Sequence, residues 1–526
     1  FKQKTAYEIS TRDWSSDVCS SDLISHCIAL NGIEGTVVEI EADLNDGVPS
    51  WSLLGLPDAA LSKSRDRVRA AIINSGENWP NKRLTVALSP ASLPKRGSAF
   101  DLGVALTILS ADGKIPSQTL ADTVVIGELS LDGRIRPVSG VLPMLAVARS
   151  AGFTQAIVAS ANQREAALVP DLSIRAFISL KDLLNSLRTN TYEYVPEICN
   201  QEIPSIHVKD MSDIVGQSAA KRALEVAAVG EHHLLMMGTP GAGKTMLAER
   251  LPTILAPLEN EAALEVTAIH SIVGRVNTQS PLITLPPFNA PHHSASRSAI
   301  IGGGLGIPKP GAISLSHHGV LFLDEAPEFQ SGILDSLREP LESGSISLAR
   351  SHGNAKYPAQ FLLVLAANPC PCGRFVGDGR ACQCTPMAIR KYLGKLSGPL
   401  LDRIDVQILV EPLSRVALSM SSNEESSSAI RERVLQARER SRHRSAYVNS
   451  AIPGKLLRKE FAASDDGMAL IHRELDAHRI TARGMYKVLR TAWSIADLHA
   501  RKKPSSEDVV MAYQLRGGIS HLIGAA

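Results

Sequence analysis

The residues best suited to chemistry stand at 234–245, LLMMGTPGAGKT. A short apolar run ends at Gly238. It opens the spacing G-x-x-x-x-G-K-T, made by Gly238, Thr239, Pro240, Gly241, Ala242, Gly243, Lys244 and Thr245. Glycines at 238, 241 and 243 leave room for backbone N–H groups to wrap a phosphate chain. Lys244 would set a point charge at the β- and γ-phosphates of ATP, and the Thr245 hydroxyl would ligate Mg2+. The next stretch, MLAERLPTIL, is apolar at helical spacing, so the phosphates would also face a helix N-terminus. A plain glycine turn is the competing reading, and the strand–loop–helix context weighs against it.

Further polar residues fall where such a site needs them. GVLFLDEAPEF is a buried strand that ends in Asp324 and Glu325. Asp324 would hold the metal through its water shell, and Glu325 would orient the attacking water; a helix-starting acidic pair is the alternative. FLLVLAANPC is a third apolar strand, ending at Asn368, whose amide could touch the γ-phosphate or the water. LSGPLLDRIDVQILV carries Arg403 flanked by Asp402 and Asp405. That arginine is either a surface ion pair or a finger reaching a neighbouring subunit's ATP. In ITARGMYKVLRTAWSIADLHA, Arg483 lies in the first turn of an amphipathic helix, placed to reach back to the γ-phosphate or to make a helix-end salt bridge.

Four of the seven cysteines, Cys370, Cys372, Cys382 and Cys384, form C-x-C-x9-C-x-C. Each C-x-C can bring two thiols to one cation, and four thiolates around a tetrahedral Zn2+ would make a closed structural site. Free thiols or a redox pair remain the alternative. His292 and His293 are adjacent, and on a strand adjacent side chains point apart, which makes them a poor metal pair.

The elements that must position these residues follow in order. Residues 1–23 lack an initiator Met, show no period and read as a non-native scar. Residues 24–190 form an α+β front domain: the strand GTVVEIEADL, a helix starting near Pro57-Asp58, the strand RLTVALS, a helix closed by Gly113, a hairpin turning at Asp132-Gly133, a helix over 144–150 and the strand AIVAS. Residues 191–212 are a linker with spaced prolines. Residues 213–412 form the nucleotide core. Residues 413–450 hold a serine-rich loop and an arginine-rich helix, which is either a solvated face or a phosphate- or subunit-contacting one. Residues 451–526 read as a helical lid whose last helix is capped by Ser505-x-x-Asp508. Net charge is +2, so nucleic-acid binding would come from local patches. No apolar run reaches the roughly 18 residues that span a bilayer, and no leader order appears at the start, so the expected location is cytoplasmic, without a membrane partner.

GTPGAGKT, GVLFLDE, AANP, LLDRID and TARGMYKVLR, in this order, resemble an AAA+ ATPase of the magnesium-chelatase and minichromosome-maintenance branch. KRGSAFDLGVAL around Ser98 and IGELSLDGRIRPVSGVL resemble the Lon-protease-like fold. With that module in front and NPCPCG…CQC inside the core, the chain is similar to the ComM/YifB competence family. The resemblance implies an α/β fold, an AAA+ P-loop core with a helical lid behind an α+β Lon-protease-like (S5-like) domain. It also implies a homo-hexamer that moves DNA by ATP hydrolysis and drives branch migration in recombination. In similar ring helicases the hairpin at 343–361 projects a basic residue into the pore. Here it carries Arg350, His352 and Lys356 near its tip, which would add sequence-independent, salt-sensitive DNA affinity, unless it is an ordinary solvated hairpin. The Pro/Gly/His-rich stretch 286–311 looks like a second pore-facing element. Two rival functions stand beside this one. A magnesium-chelatase-like subunit would drive metal insertion. A Lon-type peptidase would use Ser98, but where Lon-type proteases carry the partner lysine this chain has Leu142, and a serine without a base is a poor nucleophile.

Overall fold

Alternating burial builds the front of the molecule. In the computed structural model, which describes residues 24–55, 63–91, 95, 97–189, 191–192, 209–304, 308–350, 353–375, 380–412 and 424–517, the first domain is a seven-stranded mixed sheet. Its strands are β1 (Ile24–Asn31), β2 (Glu34–Asn45), β3 (Ser50–Leu54), β4 (Arg83–Ser89), β5 (Thr123–Ile126), β6 (Gln155–Ala159) and β7 (Ser173–Phe177). They lie in the order β3-β4-β2-β1-β5-β6-β7. Helix α1 (Ser64–Asn74), α2 (Asp101–Ala111), buried from Asp101 to Ser110, and α3 (Val141–Ser150) cover it. The expected scar, the Pro57-Asp58 helix start, most of the linker, His352 and the first half of the serine-rich loop lie outside the described residues.

One expected element is redrawn. The hairpin turning at Asp132-Gly133 is reduced to Glu128–Leu129 paired with Ile135–Arg136. The preceding Thr123–Ile126 is buried at all four positions, so it enters the main sheet as a parallel strand between β1 and β6 instead of forming a hairpin arm.

The core is the parallel sheet that the apolar runs foretell. Helix α4 (Ser218–Gly230) leads into β8 (Leu234–Gly238), and α5 (Lys244–Ile254) and α6 (Asn260–Ile272) follow. Beside a short antiparallel pair, Gly302–Gly303 with Lys309–Pro310, the strands that follow are β9 (Phe288–Asn289), β10 (Val320–Leu323), the hairpin β11 (Ser345–Arg350) and β12 (Gly353–Pro358), β13 (Leu362–Ala367) and β14 (Val406–Val410). The sheet order is β9-β10-β13-β8-β14, every pair parallel. The start of the 286–311 stretch is thus an edge strand of the core, because Phe288 stacks on Phe322 of β10 at 6.0 Å between ring centroids. Helix α7 (Pro386–Leu393) lies between β13 and β14.

Four longer helices complete the chain: α8 (Ser427–Arg444), α9 (Asp465–Asp476), α10 (Ala482–Leu498) and α11 (Ser506–Gly517). Ser505 and Asp508 cap each other's amides at 3.3 and 2.9 Å, the capping box expected from their spacing. The arginine-rich α8 is a clamp. Ile430, Val434 and Ala437 are buried in the same apolar cluster as α4 and α10. Arg433 pairs with Glu225 at 2.6 Å, Arg442 with Glu259 at 2.6 Å and Arg444 with Asp497 at 2.5 Å, while Arg438 pairs with Glu231.

The front domain docks on α6. The Gly140 amide donates to Ser271 O and Oγ at 3.0 Å, Ser271 Oγ donates to Glu165, and Arg164 donates to Gln279 O at 2.8 Å. Asn31 Nδ2 also reaches Asn354 O on the β11–β12 hairpin at 3.2 Å.

Candidate functional site

The C-terminal ends of the parallel strands gather the expected residues, as open α/β sheets do with their ligand sites. Strand β8 is buried at every position and delivers Gly238 to the start of the loop. Gly241 and Gly243 hold φ +79° and +92°, a conformation that side chains resist, with open space where a Cβ would stand. The turn therefore presents bare backbone at the N-terminus of α5, which begins at Lys244.

Lys244 Nζ donates to Gly238 O at 2.8 Å, Thr239 O at 3.0 Å and Asn368 Oδ1 at 3.1 Å. Burial lowers its pKa, and the carboxylates of Asp324 and Glu325 oppose that fall. Thr245 Oγ1 donates to Asp324 Oδ2 at 2.7 Å, and Asp324 Oδ1 accepts the Glu325 amide at 2.9 Å. A hydroxyl oxygen and a carboxylate oxygen side by side are the hard donors Mg2+ selects, so this pair fits the ion. Glu325 sits at φ +50°, unusual for a residue with a side chain and a form of strain that collects at working sites. Its Oε2 lies 3.2 Å from His293 Nδ1. Lys244, Thr245, Asp324, Glu325 and Asn368, drawn from three strands, thus meet at one end of the sheet.

The two arginines lie elsewhere. Asp405 and Val406 donate their amides to His233 O, just ahead of β8, so Arg403 stands at the N-terminal end of the strands. The length of β14, about 13 Å for its four steps, separates that end from Val410, the partner of Gly238. Arg403 is held by Pro399 O at 2.6 Å and by Glu342. Arg483, expected to reach back to the γ-phosphate, is with it instead: its Nη1 is 2.9 Å from Asp402 and its Nη2 3.7 Å from the same Glu342. The reason is the path of α10, whose Lys487, one turn on, is anchored at this end by a 2.6 Å bond to Asp405. Burial alone would raise the Asp405 carboxyl, but Lys487, His232 and His233 outweigh it and hold the carboxyl well below its usual range.

Lys487 and Glu342 carried no recognisable spacing in the sequence. His293 did, but as a weak metal candidate. In the structure His292 and His293 do not point apart, because they lie in a turn and not on a strand; their rings are 4.1 Å apart. His292 Nδ1 faces Ser294 Oγ at 2.8 Å while His293 faces Glu325, so the two do not share a cation. A second cluster, Glu265, His317 and His318, also fails as a metal site. His317 Nδ1 accepts the Gln360 amide at 3.1 Å, which puts the ring proton on Nε2, where it is donated to Glu265 at 3.0 Å.

The four cysteines do converge. Cys370 and Cys372 sulfurs are 3.3 Å apart, Cys372 and Cys382 3.7 Å, and Cys382 and Cys370 3.6 Å. All four sulfurs lie within 4.8 Å of one another. A tetrahedron with Zn–S bonds of about 2.3 Å has edges of about 3.8 Å, so the donor set fits one zinc ion with little adjustment. The Cys372 thiol is pulled down to about 6 by the Arg374 amide, the Cys370 thiol and the Gln383 amide, while at Cys382 the pull of the Cys384 amide is outweighed by burial and the neighbouring sulfurs, which push that thiol up to about 12, as crowded thiols that share protons do.

Outside the core, Ser98 Oγ donates to the Glu128 carboxylate, and Leu142 is buried at the start of α3. The nearest lysine in sequence, Lys95, is committed to the carbonyls of Leu88 and Pro90. On the β11–β12 hairpin Lys356 is exposed between the buried Ala355 and Tyr357 and pairs with Ser347, three residues in from the Arg350–Gly353 turn end. Among the described residues no helix is long and apolar enough to cross a membrane.

Comparison with known proteins covers nearly the whole chain. Residues 210–418 match the family model for magnesium chelatase, subunit ChlI; residues 40–162 match subunit ChlI of Mg-chelatase; and residues 424–516 match the ChlI C-terminal model. An uncharacterized protein of Mycobacterium tuberculosis is 48% identical over 493 residues, 93% of this chain and 97% of its own length. The competence protein ComM of Haemophilus influenzae is 38% identical over 480 residues, 90% of this chain and 93% of its own. The uncharacterized protein YifB of Escherichia coli is 36% identical over 508 residues, 95% of this chain and 96% of its own.

Proposed function

The chain belongs to the ComM/YifB family of magnesium-chelatase-like proteins, and from that membership we propose that it is an ATP-driven DNA motor. Family membership implies ATPase activity and relates the protein to competence. The finer reading is a homo-hexameric helicase or branch-migration translocase that promotes homologous recombination, as in natural transformation, and works in the cytoplasm.

The observation that carries it is the division of the nucleotide machinery between two ends of one sheet. Residues 238–245, Asp324, Glu325 and Asn368 make a cradle for Mg·ATP, while Arg403 and Arg483 lie too far away to complete it within the chain. Stacked head to tail, each copy would offer its arginines to the cradle of the next, and heterologous contacts of this kind close into rings. Hydrolysis then becomes a signal between neighbours, which suits threading a polymer. When bound, Mg2+ neutralises phosphate charge; Thr245 and Asp324 hold it, Lys244 grips the phosphates, Glu325 orients the water, and Asn368 bridges the cradle to β13. Arg350 and Lys356 on the hairpin would meet DNA phosphates, and the four cysteines would hold Zn2+ as a structural ion. A Lon-protease-like form for the front domain is compatible with its mixed sheet, and a working peptidase pair is disfavoured because, among the described residues, Ser98 Oγ is bonded to the Glu128 carboxylate and not to a lysine.

ATPase rates with and without forked or single-stranded DNA test the reading. Several-fold stimulation by DNA is the expected result. Unchanged rates would favour the second reading, a magnesium-chelatase-like motor for metal insertion, to which the family models give weight. Casein degradation lost in Ser98→Ala would instead revive the peptidase.

A further inference from the structure

The cysteine cluster is built against the nucleotide cradle. The chain leaves β13 at Ala367, passes Asn368 and turns through residues 370–373, a turn closed by the Gly373 amide on Cys370 O at 2.9 Å. Gly373 has φ +74°, and a methyl group there would stand 2.5 Å from Cδ and 2.6 Å from Cγ of Pro240. The backbone of the cysteine turn therefore rests directly on the third residue of the phosphate loop. Cys370 is fully buried in the same apolar cluster as Met237, which precedes that loop.

The second pair of cysteines reaches the same place from the other side. Cys384 is followed by Thr385, the N-cap of α7. Tyr392 and Leu393 of that helix are buried in the same apolar cluster as Cys370. Joining the two pairs around one cation thus ties α7 to the turn that follows Asn368 and seats Gly373 on Pro240. Four thiols held by weak S–H contacts alone would not enforce this, and four bare thiolates would repel.

We propose that Cys370, Cys372, Cys382 and Cys384 bind one zinc ion whose presence sets the phosphate loop through the Gly373–Pro240 contact, so that nucleotide affinity depends on the metal. The inference rests on the reading of residues 238–245 as the ATP site. Close packing is what makes the coupling strong: a loop seated on a rigid turn has little freedom to lose when it closes on phosphates.

The test uses the full-length chain. Zinc is counted by mass spectrometry, removed with a zinc-selective chelator and restored, and the affinity for a fluorescent ATP analogue with Mg2+ is measured at each stage. The expected result is one zinc per chain and an affinity that falls about tenfold or more on removal, near the scale of one lost ordering contact, and returns with zinc. Gly373→Ala should keep its zinc and lose affinity, which covers the case in which the zinc-free protein unfolds. Pro240→Ala should bind nucleotide with the same affinity whether zinc is present or not. Folded zinc-free protein that binds nucleotide unchanged, or Gly373→Ala that binds like the parent, overturns the coupling. Purified protein with four free thiols and no zinc overturns the metal. Zinc-loaded protein that binds no nucleotide at all strikes instead at the ATP-site reading.

Discussion

The two ends of the core sheet are built on opposite terms. At the end where β8, β10 and β13 finish, the carboxylates stand open to solvent: Asp324 is half-exposed, Glu325 is exposed, and the glycine turn faces open space. At the other end the charges are matched within the protein, with Arg403, Arg483, Lys487, Asp402, Asp405 and Glu342 in one lattice. One end is made to receive a charged ligand, the other to hold positive groups in a fixed place until they are presented. An arginine offered to a neighbour has to be pre-organised, because any freedom it loses on contact is subtracted from what it stabilises.

The largest expected effects lie at the receiving end. Lys244→Ala removes the point charge and should abolish nucleotide binding or turnover in an ATP-binding and phosphate-release assay. Glu325→Gln keeps shape and hydrogen bonding but not the charge that polarises water, so it should bind ATP and stall. Full ATPase in Lys244→Ala would end the assignment of that end as the receiver.

Next in size is the presenting end. Arg403→Ala should lose hydrolysis, by about a thousandfold if it acts as arginine fingers do, while nucleotide affinity stays near that of the parent. Mixed with Lys244→Ala chains, which keep their arginines, the Arg403→Ala chains should regain part of their rate. Absence of rescue in mixed oligomers would mean that the two ends do not meet across a subunit boundary. Arg483→Ala should follow the same pattern, since it shares Glu342 with Arg403.

The lattice itself can be tested for stability. Lys487→Met leaves Asp405 charged and buried, and stranding one partner of a buried pair costs about 3 kcal/mol or more. The double change Asp405→Asn with Lys487→Met strands neither charge and should recover much of that loss. Melting temperatures of the two variants separate the cases; equal losses would show that the pair is not coupled.

The difference between the two ends also explains what was legible in the sequence. The receiving end is read from local spacing: G-x-x-x-x-G-K-T, an acidic pair after VLFL, and an Asn after LLVLAA each announce themselves within ten residues. The presenting end is assembled from residues far apart in the chain, Glu342, Arg403, Arg483 and Lys487, whose meeting depends on how α10 packs against the sheet. Arg403 and Arg483 could be named as candidates, but not placed together, and Lys487 looked like any helix lysine. The cysteine spacing was readable, yet its contact with Pro240 was not, because a glycine backbone leaves no pattern of its own. In the front domain the strands and helices follow their burial periods. The Thr123–Ile126 strand did not join its expected hairpin, because local turn chemistry says nothing of which sheet a wholly buried strand will enter.

The smallest expected effect is a response to acid, and it too should divide the ends. His233 stands just ahead of β8 with its Nδ1 accepting the Leu363 amide at 3.2 Å, and His317 stands just ahead of β10 with its Nδ1 accepting from Gln360. Both therefore sit at the presenting end. Burial lowers both to about 4, against an ordinary value near 6.5, and nearby charges modify the shift. The folded pKa lies below the unfolded one, so between these values the unfolded chain holds more protons. Stability is full above about pH 6.5 and is lost as pH falls toward 4. For His317 the loss at pH 5 is about 2 kcal/mol at most. Asp405, whose folded pKa is depressed, loses its contribution only below its ordinary carboxylate value, so it does not act in this window. Melting curves at pH 7 and pH 5 should therefore show a drop that His317→Gln reduces, and hydrogen exchange at pH 5 should quicken at Leu363 and Gln360 before it does at Gly243. Equal quickening at both ends would show that the sheet opens as one unit, and that the partition of charge between its ends carries no partition of stability.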